Sequence, residues 1–365
     1  MQDEEVFNYF RAVSKKEECS ERALSLTSHA LRLNSNNYNV WTYRRKILRS
    51  IKDDPTREFC WSEAQIRENP KNFHAWEHRR LLANANLNYC DADTELKLTE
   101  NILELDPKSY HAWQHRQWTV QTHKFSNFGL LTSEMKFTEK FLTDDVRNNS
   151  AWNERYFILK ARGKIDFVMV KNEFSFVVEK IKIAFDNESA WSYLRGMLDE
   201  FKKLKKLPLY QNFVDFVEHE FYEEKNHNRH LIGFMIDAKI EMILESCESN
   251  ELVHTQKVLQ LCNLMADKYD KMRKNYWKFV YKKFYYDKIM QRHESNDSGG
   301  AKSDESWKNK IGKKHDERDE SLLPSQMESK GKEKLKKKVD PKTNKQKANG
   351  FGTDLLFEIM NKYNQ

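Results

Sequence analysis

Glycine and proline are scarce in this 365-residue chain: residues 1–290 hold four of each. That is too few for a succession of tight β-turns, while apolar residues recur at helical spacing throughout the same stretch, so the expectation is a nearly all-α chain. No segment approaches the ~20 consecutive apolar residues of a membrane span, which argues against an integral membrane protein. The acidic start MQDEEVFNYF lacks the basic-then-apolar pattern of a secretory leader. Five cysteines (Cys19, Cys60, Cys90, Cys247, Cys262) lie far apart without a Cys-x-x-Cys pair. Their spacing indicates neither a disulfide framework nor a zinc knuckle, and it fits a reducing, cytoplasmic location. An excess of one charge is also missing from most of the chain. Of a net +7, residues 291–350 contribute 16 Lys/Arg against 11 Asp/Glu, leaving 46 against 43 in residues 1–290. A nearly neutral folded part argues against a nucleic-acid partner.

What is present is a repeat. Five segments align on a tryptophan: NNYNVWTYRRKIL, KNFHAWEHRRLL, KSYHAWQHRQWTV, RNNSAWNERYFIL and NESAWSYLRGML. Their tryptophans, Trp41, Trp76, Trp113, Trp152 and Trp191, are 35, 37, 39 and 39 residues apart, the length of a helical hairpin with its turns. Four residues before each Trp stand Asn37, Asn72, Ser109, Asn148 and Asn187, all strong N-cap types. Pro70 and Pro107 come two residues earlier, where they stop the preceding helix. The residue just before each Trp is small and apolar (Val40, Ala75, Ala112, Ala151, Ala190), which leaves room for a neighbouring helix. Leu48, Val120, Leu159 and Leu198 continue the indole face two turns on. A stack of such hairpins builds a solenoid with one concave surface.

Beyond Trp191 the period blurs, but helical segments are predicted around 209–224, 230–247, 251–268 and 271–290, giving one helical domain over 1–290. Residues 291–365 read as a disordered, lysine-rich tail containing KGKEKLKKKVDPKTNKQK, with a short amphipathic helix predicted over 353–363.

At these motifs the chain resembles the α-subunit repeat family of protein prenyltransferases, in particular the α subunit shared by farnesyltransferase and geranylgeranyltransferase type I. The tryptophan repeats carry the likeness, with FNYFRAV (Phe7–Val13), the SERAL run from Ser20, DVRNNSAWNERYF (Asp145–Phe157) and RKNYW (Arg273–Trp277). A tetratricopeptide array has a similar period but would show Trp-x-x-Leu-Gly instead of Trp-x-x-Arg.

The resemblance implies an all-α right-handed superhelix of about seven hairpins. It also implies a heterodimer with a zinc-carrying β subunit. That dimer would transfer farnesyl or geranylgeranyl from the prenyl diphosphate, accompanied by magnesium, to the cysteine thiol of Cys-a-a-X proteins. This chain itself would hold no metal. Matching the motifs residue by residue makes Lys108 the catalytic candidate, as stabiliser of the leaving diphosphate. Tyr110, Arg116, Arg147, Asn148 and Trp152 become substrate-binding candidates. A Rab-type prenyltransferase α-like subunit and a non-catalytic helical scaffold are the alternative readings.

The residues support the lysine separately. Lys108 precedes the N-cap Ser109, near the positive end of a helix where anions are favoured. Lys71 and Arg147 occupy the same position in the flanking repeats, so a basic edge of three is expected. The tryptophans read first as core, and the arginines three residues later (Arg44, Arg79, Arg116, Arg155) read first as recurring interhelical ion pairs. His74/His78 and His111/His115 have the i, i+4 spacing of a helical chelate, but no third ligand is evident and their shared repeat position points to packing.

Overall fold

The computed structural model describes residues 3–297 apart from 52–53, 125–128, 164, 204–206, 224–226 and 246–250. Fifteen α-helices and no strand occur among the described residues. The chain forms two compact units, Met1–Lys205 and Lys206–Gln365. Residues 291–297 of the expected disordered tail are instead the end of the helix Lys274–Asp297, while the rest of the tail and its short helix lie outside the described residues.

In the first unit α1 (Asp3–Lys15) precedes five hairpins: α2 (Glu21–Leu33) with α3 (Tyr38–Ile51), α4 (Pro55–Glu68) with α5 (Phe73–Ala85), α6 (Ala92–Leu105) with α7 (Tyr110–His123), α8 (Leu130–Asp144) with α9 (Asn149–Ala161), and α10 (Phe167–Ile183) with α11 (Glu188–Lys203). The second helices stack in order, α3 on α5 on α7 on α9 on α11.

The same four-residue turn joins the helices of every hairpin, and sequence dictates its form. The last residue of the turn sends its N–H back to the first: Asn37 to Asn34, Asn72 to Asn69, Ser109 to Asp106, Asn148 to Asp145 and Asn187 to Ala184, all at 3.0–3.2 Å. The indole then closes the loop. Nε1 of Trp41, Trp76, Trp113, Trp152 and Trp191 donates to the carbonyl six residues back (Ser35, Pro70, Pro107, Val146, Phe185) at 2.8–2.9 Å. Each Trp is therefore core and turn-lock together, its ring buried and its one polar atom satisfied. The five small residues before the tryptophans are wholly buried, as close approach of neighbouring helices requires.

Four of the five expected N-caps form. Asn37, Asn72, Asn148 and Asn187 accept from first-turn N–H groups, whereas Ser109 makes no such bond. The asparagines also reach backwards. Nδ2 of Asn72, Asn148 and Asn187 donates to Ser35, Pro107 and Val146 of the preceding repeat at 2.7–3.0 Å. One carbonyl thus holds its own indole and the next repeat's cap, a link that serine has no amide to make.

The second unit contains α12 (Leu207–Val217), α13 (Arg229–Glu245), α14 (Glu251–Leu264) and α15 (Lys274–Asp297), and the tryptophan turn does not recur among its described residues. Lys239 lies buried in this unit and pairs with Glu218 at 2.6 Å.

Candidate functional site

Two polar systems cross the repeat joints of the first unit, one inside and one at the rim. The inner system is built from the arginines three residues after each Trp. Arg44, Arg79, Arg116 and Arg155 are buried and grip Glu58, Glu95, Glu134 and Glu173 on the first helix of the next repeat, with N–O distances of 2.6–2.9 Å through Nε and Nη2. Nη1 of each returns to its own repeat, to a backbone carbonyl and a hydroxyl (Leu24/Thr27, Phe59/Ser62, Leu96/Thr99, Met135/Thr138). Aromatic faces cover the guanidinium groups, as Trp61 covers Arg44 at 3.5 Å and Phe137 covers Arg116 at 3.4 Å.

A second donor completes most of these carboxylates. His78 meets Glu58 at 2.6 Å, His115 meets Glu95 at 2.7 Å and Tyr193 meets Glu173 at 2.6 Å. Burial pushes both imidazoles below their usual pKa. Each is therefore neutral near pH 7, with its proton on the Nε2 that faces the carboxylate. Burial opposes ionisation of Glu95, but the hydrogen bonds from His115 and Arg79 outweigh it and bring the carboxyl down to about 2. These histidines spend Nε2 on carboxylates, so their i, i+4 spacing from His74 and His111 is not used as a chelate. No cluster of three His, Cys, Asp or Glu suited to a metal occurs among the described residues. No donor set for the implied zinc is therefore found there.

The outer system lies on the turns. Lys71 approaches Asp106 at 4.0 Å, Lys108 approaches Asp145 at 3.4 Å and Arg147 pairs with Asp186 at 2.7 Å, each reaching into the next repeat. The three cations of the expected basic edge thus lie in a row of exposed inter-repeat pairs. Asp106 and Asp145 do double duty, each also accepting the backbone N–H two residues on, from Lys108 and Arg147 respectively. Alongside runs an aromatic strip at the starts of α3, α5 and α7. Tyr38, Phe73 and Tyr110 are exposed, with His74 and His111 set between them at centroid distances of 5.5–6.2 Å.

The six site candidates separate accordingly. Lys108, Tyr110 and Arg147 share the rim, with Tyr110 70% exposed. Arg116, Asn148 and Trp152 are buried in the joints with their polar groups engaged inside the protein. A ligand outside the repeat would have to break those bonds to reach them. The four partner glutamates were not read as functional from sequence. Their signal was available nonetheless, because each stands 18 residues before the next Trp.

The fold and its joints define an α-helical hairpin-repeat protein of the prenyltransferase α-subunit type. Five copies of the protein prenyltransferase alpha subunit repeat match at residues 20–51, 55–85, 92–123, 131–162 and 170–201, coincident with the five hairpins. Residues 20–201 thus carry the repeats of that family. The chain is 37% identical over 131 residues to the protein farnesyltransferase/geranylgeranyltransferase type-1 subunit alpha of Candida albicans, a match covering 34% of this chain and 42% of the relative. The subunit of the same description from Schizosaccharomyces pombe is 36% identical over 81 residues, covering 22% and 28%. The chain thus matches less than half the length of these relatives. A solved structure of Candida albicans protein geranylgeranyltransferase-I complexed with GGPP superimposes with a TM-score of 0.64 and 26% identity, covering 76% of this chain and 89% of that one.

Proposed function

We propose that this chain is the α subunit of a heterodimeric protein prenyltransferase acting on Cys-a-a-X proteins. With one β subunit it transfers farnesyl, and with another geranylgeranyl. The observation that carries this reading is the position of Lys108: exposed at the start of α7, beside Tyr110, on the joint between the third and fourth repeats.

In this reaction the bond between the isoprenoid C1 and the diphosphate oxygen breaks as the thiol sulfur bonds to C1. Negative charge accumulates on the departing diphosphate, and a fixed cation beside it lowers the barrier. Lys108 supplies that cation. Its exposed pair with Asp145 is worth about 1 kcal/mol or less, so an incoming diphosphate competes for the ammonium at little cost. The free N–H groups at the start of α7 reinforce the preference for an anion there. Arg147, one repeat on, extends the positive rim, and Tyr110 offers a hydroxyl beside it. Arg116, Asn148 and Trp152 fix the spacing of the two turns.

Zinc, which activates the substrate thiol in this reading, belongs to the partner subunit. Magnesium accompanies the prenyl diphosphate. None of the described helices is long and apolar enough to cross a membrane, and we place the heterodimer in the cytoplasm. The test is co-expression of the full chain with each candidate β subunit, followed by assay of farnesyl and geranylgeranyl transfer to Cys-a-a-X peptides. Complex formation with transfer supports the reading, and failure to bind either β subunit removes it.

A further inference from the structure

One joint of the inner ladder breaks its own rule. In three joints the glutamate receives an arginine from the preceding repeat and an N–H or O–H from a residue 20 positions further along the chain: His78 for Glu58, His115 for Glu95, Tyr193 for Glu173. In the remaining joint, Arg116 with Glu134, the corresponding position holds Glu154. A carboxyl group stands where the other joints place a proton donor.

Glu154 is wholly buried. Its Oε2 accepts from Gln117 Nε2 at 2.9 Å, while its Oε1 is buried without a hydrogen-bond partner. Ionised, Glu154 would bring a second negative charge to a joint whose one arginine already serves Glu134 through two bonds and spends its third nitrogen on Leu96 and Thr99. An uncompensated buried charge of that kind is costly. Neutral, the same side chain presents an O–H at the position where the other joints place a donor, and it adds no second charge to the joint.

We propose that Glu154 is held as the neutral acid in the folded chain, making the joint between the third and fourth repeats a titratable one. The groups around it agree. Burial raises its pKa most, the Gln117 hydrogen bond lowers it, Glu134 on α8 raises it and Arg116 on α7 lowers it, leaving the carboxyl at about 8. From the other side, α11 meets α9 through Tyr193 on Trp152 and Tyr156. These residues stand two positions either side of Glu154, on the opposite face of the helix. Arg155, the neighbour in sequence, is committed to Glu173 on α10. The inference stands independently of the prenyltransferase reading.

Linkage sets the sign. Between the ordinary glutamate value of 4.5 and about 8, the folded chain holds this proton and the unfolded chain does not. The wild type therefore loses stability as pH rises through that window, by about tenfold in the folding equilibrium per unit, and levels off above it. Glu154→Gln keeps a neutral donor and removes the titration. Denaturant unfolding of full-length wild type and E154Q from pH 5 to 9 should show the variant's advantage growing up to about pH 8 and constant beyond. A gap independent of pH overturns the proposal.

If E154Q does not fold, infrared spectroscopy of the wild type with 13C-labelled glutamate decides. A protonated carboxyl band at pH 7 that disappears near pH 8 is expected, and its absence overturns the proposal. In Glu134→Gln, Arg116 would turn to Glu154 and the band should be lost at pH 7; a band that persists there assigns the proton elsewhere and equally overturns it.

Discussion

Asn148 donates through Nδ2 to the carbonyl of Pro107 at 3.0 Å, the oxygen that also receives the indole N–H of Trp113 at 2.9 Å. Through that shared acceptor the cap of α9 fixes the turn that carries Lys108. Two successive hairpins are joined at the point where the proposed chemistry takes place.

Asn148→Ala should therefore cost more than an ordinary cap. It removes the side-chain acceptor for Ser150 and Ala151 N–H and the donor to Pro107. A lost cap costs ~1 kcal/mol and a lost buried hydrogen bond roughly another 1 kcal/mol, so ~2 kcal/mol is expected from urea unfolding. Ser109→Ala should cost only a few tenths of that, because Ser109 makes no side-chain cap bond.

Arg116→Ala should destabilise by about 3–5 kcal/mol, the cost of stranding a buried carboxylate. Arg116→Met combined with Glu134→Leu should recover much of that loss, because no charge is then left unpaired. If activity per folded heterodimer in the double variant stays within a few-fold of wild type, Arg116 acts through the fold. Selective loss of turnover in a stable double variant would give Arg116 a direct part in the reaction.

Acid should weaken the inner ladder in two stages. The buried His115 has a lowered pKa in the folded chain, so the unfolded chain binds its proton more readily as pH falls below about 6.5. Glu95 adds stability that is present above 4.5 and lost as pH falls from there toward about 2. His115→Gln keeps an N–H for Glu95 but does not protonate. Thermal melts between pH 5 and 7.5 should show a shallower acid decline for that variant than for wild type, and parallel curves would contradict the assignment.

Much of this fold was legible in the sequence because each turn repeats its chemistry. Tryptophan, the small residue before it and the asparagine cap mark all but one of the joints by residue type. Ser109 was read as an equivalent cap because residue type gives preference and not reach. The rim was half legible. Lys71, Lys108 and Arg147 could be aligned by position, but Asp106, Asp145 and Asp186 approach them only after folding. Arg116 is carried by the motif that also carries Lys108, and Trp152 by the separate RNNSAWN motif. Their burial comes from packing, which a motif does not show.

The central claim is that Lys108 faces the departing diphosphate, and Lys108→Ala in the purified heterodimer tests it most directly. At saturating prenyl diphosphate and Cys-a-a-X peptide, the variant should assemble with the β subunit and melt within a degree or two of wild type. Its kcat should fall roughly tenfold or more, as for removal of one preorganised donor to a developing anion. An intact heterodimer with unchanged kcat under those conditions would contradict the account.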